Sequence, residues 1–315
     1  MKPQIFQRAE IEAVLEHAEV IRAIEAGFQA YSRGQVVVPP VGSLAFEQPP
    51  GDLHIKYGVR RGAATFVIKV ATNFYENPRQ GLSSSSGMVM VFSAVTGFPV
   101  AIFFDGGYLT ELRTAAAGAV AAKYLAPKHV RAIGVIGAGI QAHLQVDLLR
   151  QVTDCRRVVI WARDEAKARA FQVRGFTVEV ADSPAAVLAA CNLVVTTTPS
   201  PTPLLWANAV KPGTHITAVG ADGFGKQELD AALIAAADIR AVDSRSQCFE
   251  YGDSAAALKS GLVTEQAFVE LGEVIDDPAR GRTDDVQVTI ADLTGVAVQD
   301  IQIADLACSL LGVSQ

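Results

Sequence analysis

Apolar residues recur at helical spacing near the start of the chain. Ile11, Val14, Leu15, Ala18, Ile21, Ile24 and Phe28 fall on one stripe and predict an amphipathic helix. After Gln35 the period changes. VVVPPVGSLAF, DLHIKYGV, TFVIKVATNF, GMVMVFSAV and FPVAIFFD are short runs rich in β-branched and aromatic residues, divided by Gly, Pro, Asn and Asp. Their succession predicts a mostly antiparallel sheet or open barrel. A helix over 110–125 follows, and its Ala-rich stretch 114–122 predicts close packing. From Ala132 strands alternate with helices: AIGVIG then 140–151, VVIWA then 165–174, and onward through TVEVA, LVVTTT, HITAVG and AADIRAVD. That alternation predicts a doubly wound parallel sheet, so the fold class is α/β. The tail TIADLTGVAVQDIQIADLACSLLG reads as a long amphipathic helix that finishes the second part or returns to the first.

Half of the 315 residues are hydrophobic and 19% are charged, which supports a sizeable core and excludes a disordered chain. The net charge is −6 and no basic block is present, which argues against nucleic acid and anionic membrane as partners. The 114–122 stretch is too short to span a bilayer, which takes about 20 residues. Cys155, Cys191, Cys248 and Cys308 stand far apart with no metal-ligand spacing, so neither a disulfide frame nor a metal site is expected. The first twenty residues lack the apolar segment of a secretion signal. A cytoplasmic protein with reduced thiols is the expectation.

The strongest local motif is Gly137-Ala138-Gly139-Ile140-Gln141-Ala142, a G-x-G-x-x-A directly after a strand and opening a helix. The first glycine permits the tight turn, the second lets the backbone approach a pyrophosphate, and Ala142 allows close packing. The helix start offers unpaired N–H groups and a positive dipole end to the phosphates. Without a ligand the same motif is a Gly-rich strand-to-helix turn. The second strand ends in Arg163-Asp164, with no acid at the strand end itself to accept a ribose hydroxyl. The cofactor is therefore NAD or NADP, with Arg163 favouring the 2′-phosphate of NADP. Asp164 is equally placed to cap the next helix. Thr198 and Val219, at the ends of later strands, complete the expected cofactor set.

Several blocks now converge. VIKVATNFYENPRQGL, TGFPVAIFFDGGYLTELRTAAAGAVAAKYLA, IGVIGAGIQA, ITAVGADGFGKQELD and TGVAVQD resemble the ornithine cyclodeaminase/mu-crystallin family over about residues 35 to 305. The resemblance implies a Rossmann-type sheet (127–301) inserted in a discontinuous α+β domain (1–126 with 302–315) for substrate binding and homodimer formation. It implies NAD(P)-dependent hydride transfer at the Cα of a small amino or imino acid.

Lys69 resembles the family's active-site lysine, and Asp222 its catalytic aspartate at the imine or amine nitrogen. Arg113 resembles the arginine that clamps the α-carboxylate, and Thr114 a cofactor contact. Pattern alone also allows an edge-strand lysine in water, a turn-capping aspartate and a surface ion pair at these positions. Two departures argue against ornithine: VVVPPVGSLAF carries no arginine, and His54 and Lys56 stand where an acid would grip a distal amine. The alternatives are therefore a cyclodeaminase and an NAD(P)H-dependent reductase of a cyclic ketimine such as Δ1-pyrroline-2-carboxylate, or an amino-acid dehydrogenase. A dehydratase of hydroxylated proline and a cofactor-binding protein without turnover are further ones.

Overall fold

The computed structural model describes residues 2–313 and divides the chain into two units. Unit 1 contains the residues up to Arg113 together with those from Val296, and unit 2 runs from Thr114 to Gly295. The strands of unit 1 are β1 (Gln4–Gln7), β2 (Val36–Val37), β3 (Gly42–Phe46), β4 (Gly51–Arg60), β5 (Thr65–Phe74), β6 (Ser85–Ser93) and β7 (Pro99–Phe104). They form a sheet in the order β1-β7-β6-β5-β4-β2, with β3 also on β4. Every pairing is antiparallel except β1 with β7.

Alternation decides the two faces of this sheet. Thr65, Val67 and Lys69 of β5, Val89 and Val91 of β6, and Ala101 and Phe103 of β7 are buried. Helix Ala297–Leu310 packs over β4 and β5, and helix His17–Ser32 packs against it. A Cβ on Gly27 would lie 2.7 Å from Gln302 Cγ, so the glycine lets these two helices approach closely. The expected first helix is in fact two, Arg8–Glu12 and His17–Ser32. The tail helix starts at Ala297 and is buried on most of its sides, so it is less amphipathic than its sequence suggested.

Unit 2 holds β8 (Ile133–Ile136), β9 (Arg157–Trp161), β10 (Thr177–Val180), β11 (Leu193–Thr196), β12 (His215–Ala218), β13 (Ile239–Val242), β14 (Phe268–Glu270) and β15 (Thr289–Asp292). The order is β10-β9-β8-β11-β12-β15-β13-β14, and all pairings are parallel. Alternate residues feed two cores. Ile133, Val135, Val158, Ile160, Leu193 and Val195 pack on one face with Val146 and Leu149. Ile136, Val159, Val194 and Ile216 pack on the other with Leu188 and Leu233. This is the expected doubly wound sheet, extended by β14 and β15, which the sequence pattern did not reveal.

The divisions fall at Arg113/Thr114 and Gly295/Val296 rather than at 126/127 and 301/302. Residues 114–125 of helix Tyr108–Leu125 belong with unit 2 for a packing reason. Ala122 lies in the β8 core, and the Leu125 carbonyl accepts from Arg282 Nε at 2.7 Å and the Thr289 hydroxyl at 2.7 Å. A Cβ on Gly118 would sit 2.0 Å from Gln145 Oε1, so only glycine admits that buried amide. Among the described residues, no helix is long and apolar enough to cross a membrane.

Candidate functional site

Chemistry-bearing residues gather in two places, one in each unit. In unit 2 the glycine turn after β8 has the expected shape. Gly137 has φ +114°, and a Cβ there would lie 2.5 Å from Thr197 Oγ1. Gly139, which has no side chain, is the N-cap of helix Ile140–Leu149, and open space lies in front of its Cα. Ala142 is fully buried, and Ile140 and Gln141 begin the helix. These features suit a pyrophosphate: a turn only glycine can make, a face without side chain, and a helix N-terminus behind it. The residues present therefore fit a dinucleotide, and Gly137, Ala138, Gly139, Ile140 and Gln141 would hold it.

The other unit 2 candidates have defined partners. Asp164 Oδ1 accepts from the N–H groups of Ala166 and Lys167 at 3.1 and 3.2 Å and so caps the next helix. Thr114 gives its carbonyl to Gln145 Nε2 at 3.2 Å. Val219 is buried after β12. Thr198 donates both its N–H, at 2.6 Å, and its hydroxyl, at 2.7 Å, to Glu228. Asp222 pairs with Lys226 at 2.7 Å and keeps 44% of its side chain exposed.

In unit 1 the structure gathers Lys56, Lys69 and Arg113 around an acid that sequence reasoning missed, Asp300. Lys56 and Lys69 face each other across β4 and β5 and are 7% and 2% exposed. Lys69 Nζ lies 3.0 Å from Asp300 Oδ1, and Arg113 Nε lies 3.0 Å from the same oxygen. Arg113 NH1 donates to Gln299 Oε1 at 2.6 Å. Arg113 Nε and Asp300 Oδ2 are buried without a hydrogen-bond partner, since the Nε contact pairs charge but is off-axis.

Electrostatics follow from this crowding. Burial, then the Arg113 charge, pushes Lys69 down to about 7 against the pull of Asp300. Burial alone would raise the Asp300 carboxyl, but Arg113, Lys69 and Lys56 together hold it below its ordinary value. Asp105, at the start of helix Tyr108–Leu125, is raised by burial and accepts from the Leu109 N–H at 2.7 Å.

His54 lies two residues from Lys56 on the same face of β4, 3.3 Å from Asp52. Asp52 also accepts from Asn73 at 2.8 Å and from the Tyr75 hydroxyl. Burial works to raise Asp52, and the bonds from His54, Tyr75 and Asn73 hold it well below the carboxylate range. The acid on this face is thus already committed to three donors. Gln299 and Asp300 carried one sequence signal: two adjacent polar residues near the start of the last helix.

The model of the ornithine cyclodeaminase/mu-crystallin family matches residues 1–308. The chain belongs to that family. It is 35% identical to iminosuccinate reductase of Paracoccus denitrificans over 307 residues, 96% of this chain and 94% of the relative. An archaeal alanine dehydrogenase dimer with bound NAD superposes with TM-score 0.90 and 35% identity, covering 98% of this chain and 96% of that one. Thermococcus litoralis Δ1-pyrroline-2-carboxylate reductase, in complex with NADH and L-proline, gives TM-score 0.91 and 25% identity over 99% of both chains. This family member is an enzyme, as these relatives are. Its Rossmann-type α/β fold is theirs, and its Lys69, Arg113 and Asp300 sit together in unit 1.

Proposed function

We propose that this family member transfers a hydride at the Cα of a small amino or imino acid, acting as a nicotinamide-dependent imine reductase or amino-acid dehydrogenase. The observation that carries the reading is the buried Lys69–Asp300–Arg113 cluster, with Lys56 beside it and polar atoms left short of partners. Three cations face the Asp300 carboxylate, which suits an incoming substrate carboxylate. Arg113 is fixed by Gln299 and Asp300 beforehand, so a bound carboxylate meets a preset guanidinium. Lys69 Nζ, with a pKa of about 7, gives a proton to the imine nitrogen in reduction and takes it back in oxidation. Asp222 stabilises the cationic iminium. His54 and Lys56 favour a neutral or anionic substrate tail over a distal ammonium.

The bound nicotinamide supplies the hydride in reduction or accepts it in oxidation. Gly137 to Gln141, Thr114, Thr198 and Val219 form its site in this reading. Arg163 is exposed, while Asp164 Oδ1 is taken by capping, which supports NADPH over NADH. The protein works as a homodimer in the cytosol, where its four free cysteines stay reduced. The surface for the second copy is the outer face of the unit 1 sheet, which presents Tyr57, Phe66, Ile68, Met90, Phe92 and Ile102.

The test follows NADH and NADPH at 340 nm with Δ1-pyrroline-2-carboxylate and with 2-oxo acids plus ammonia, beside a proline assay from L-ornithine. Steady cofactor oxidation without ornithine turnover supports the reading. Proline and ammonia from ornithine without net oxidation would replace it with cyclodeamination.

A further inference from the structure

Glu228 is fully buried, yet it touches none of the candidate catalytic groups. Its carboxylate takes four donors. Oε1 accepts the Thr198 N–H at 2.6 Å and the Thr198 hydroxyl at 2.7 Å. Oε2 accepts the Thr196 hydroxyl at 2.7 Å and the Gly220 N–H at 2.8 Å. Each oxygen thus binds one backbone N–H that cannot turn round and one hydroxyl that can. The carboxylate fastens the end of β11 to the end of β12.

The fastening reaches the glycine turn. A Cβ on Gly137 would meet Thr197 Oγ1 at 2.5 Å and Thr198 Cγ2 at 3.2 Å, so the Thr197-Thr198 segment presses directly on that turn. A Cβ on Gly220 would lie 2.1 Å from the Thr198 carbonyl and 2.6 Å from Glu228 Cδ, so the loop after β12 approaches as closely as glycine allows. Glu228 is itself held by its backbone, because Asp253 Oδ1 accepts the N–H groups of Glu228 and Leu229 at 2.7 Å each.

We propose that Glu228 is a positioning residue for the nicotinamide cofactor: through Thr198 and Gly220 it sets the three strand ends that form the dinucleotide-binding edge. The inference rests on the cofactor reading above and extends it to a residue beyond those named for the cofactor site. Only a carboxylate satisfies all four donors. Glutamine presents an NH2 group to one of the two backbone N–H groups, and two donors cannot pair.

The titration of the brace gives a second signature. Burial pushes Glu228 up to about 7 against its four donors, so its charge is lost just below neutrality. Protonation turns one hydroxyl round and removes the charge assistance from both N–H bonds. The neighbouring ionisable groups are Asp253, in contact through the Glu228 backbone, and Asp292 beyond it.

The experiment measures dissociation constants for NADH and NADPH by fluorescence, with unfolding midpoints, for wild type, Glu228→Gln and Thr196→Val. Thr196 is fully buried, so any effect of its hydroxyl on cofactor binding must pass through Glu228. Expected are losses in affinity of about tenfold for Glu228→Gln and about two- to fivefold for Thr196→Val. Wild-type NADH affinity should weaken as pH falls through about 7, and Glu228→Gln should abolish that dependence. Lower midpoints with unchanged dissociation constants would reduce Glu228 to a structural residue and overturn the proposal. If Glu228→Gln does not fold, Thr196→Val decides by the same criterion. Wild type that binds neither nucleotide overturns the cofactor reading itself.

Discussion

Replacing Asp300 by asparagine keeps the side-chain shape and removes the one carboxylate that Lys69 and Arg113 share. At 3.0 Å and an effective dielectric of about 20, its attraction for the Lys69 ammonium is about 5 kcal/mol, so losing it lowers the Lys69 pKa further. Lowered further from about 7, the variant's lysine is neutral at pH 5.5 and above. Above pH 8 Lys69 is neutral in both proteins, and only the Arg113 contact distinguishes them. Below pH 7 the wild type gains a proton on Lys69 that Asp300 stabilises, and the variant does not.

The extra penalty between pH 7.5 and pH 5.5 is about 2 kcal/mol for a group titrating near 7. Urea unfolding of both proteins, at one protein concentration and several pH values, reads this difference directly. A penalty that is the same at pH 5.5 and 7.5 would refute the charge sharing, because loss of packing alone does not depend on pH. Arg113 contributes a constant offset of the kind expected for a broken buried pair, about 3–5 kcal/mol.

Three further outcomes are expected. Lys69→Ala and Asp222→Ala should lower turnover by about 100- to 10,000-fold while leaving NADH and NADPH dissociation constants within about twofold, read by steady-state kinetics and nucleotide titration. Arg163→Ala should weaken NADPH about tenfold more than NADH, and equal effects would remove the argument for NADPH. Ile68→Asp, on the outer face of the unit 1 sheet, should shift the mass measured by light scattering from dimer to monomer. An unchanged dimer would place the interface elsewhere.

Local patterns carried much of this. The G-x-G-x-x-A turn was legible because strand, glycine pair and helix lie in one continuous stretch, and Gly137 and Gly139 have the conformations that stretch demands. Lys69 stood out because a lysine interrupts an apolar strand, and its burial explains why. Asp300 did not stand out. It follows a run that reads as apolar helix, and its partners lie far away in sequence, at positions 69 and 113. Strand β15 was missed because TIAD is only four residues long and reads as part of the tail that leads into the last helix. Its slot between β12 and β13 is fixed by tertiary pairing that no local period encodes. Glu228 lies in a loop whose local pattern carries no signal. Its role depends on Thr196, Thr198 and Gly220 converging from two other strand ends.

The place of β15 has a consequence for how the chain is made. A strand that joins β12 to β13 is synthesised after both, and the helix bearing Asp300 follows at once. A chain emerging from the ribosome therefore carries a split parallel sheet and a buried-to-be Lys69 without its counter-ion until residues 289–310 appear. Domains ordinarily complete in order from the amino terminus. Here both units wait for the same segment, 289–310, so a chain stopped short of it would leave neither unit finished, and quality control would meet one incomplete species rather than a folded half.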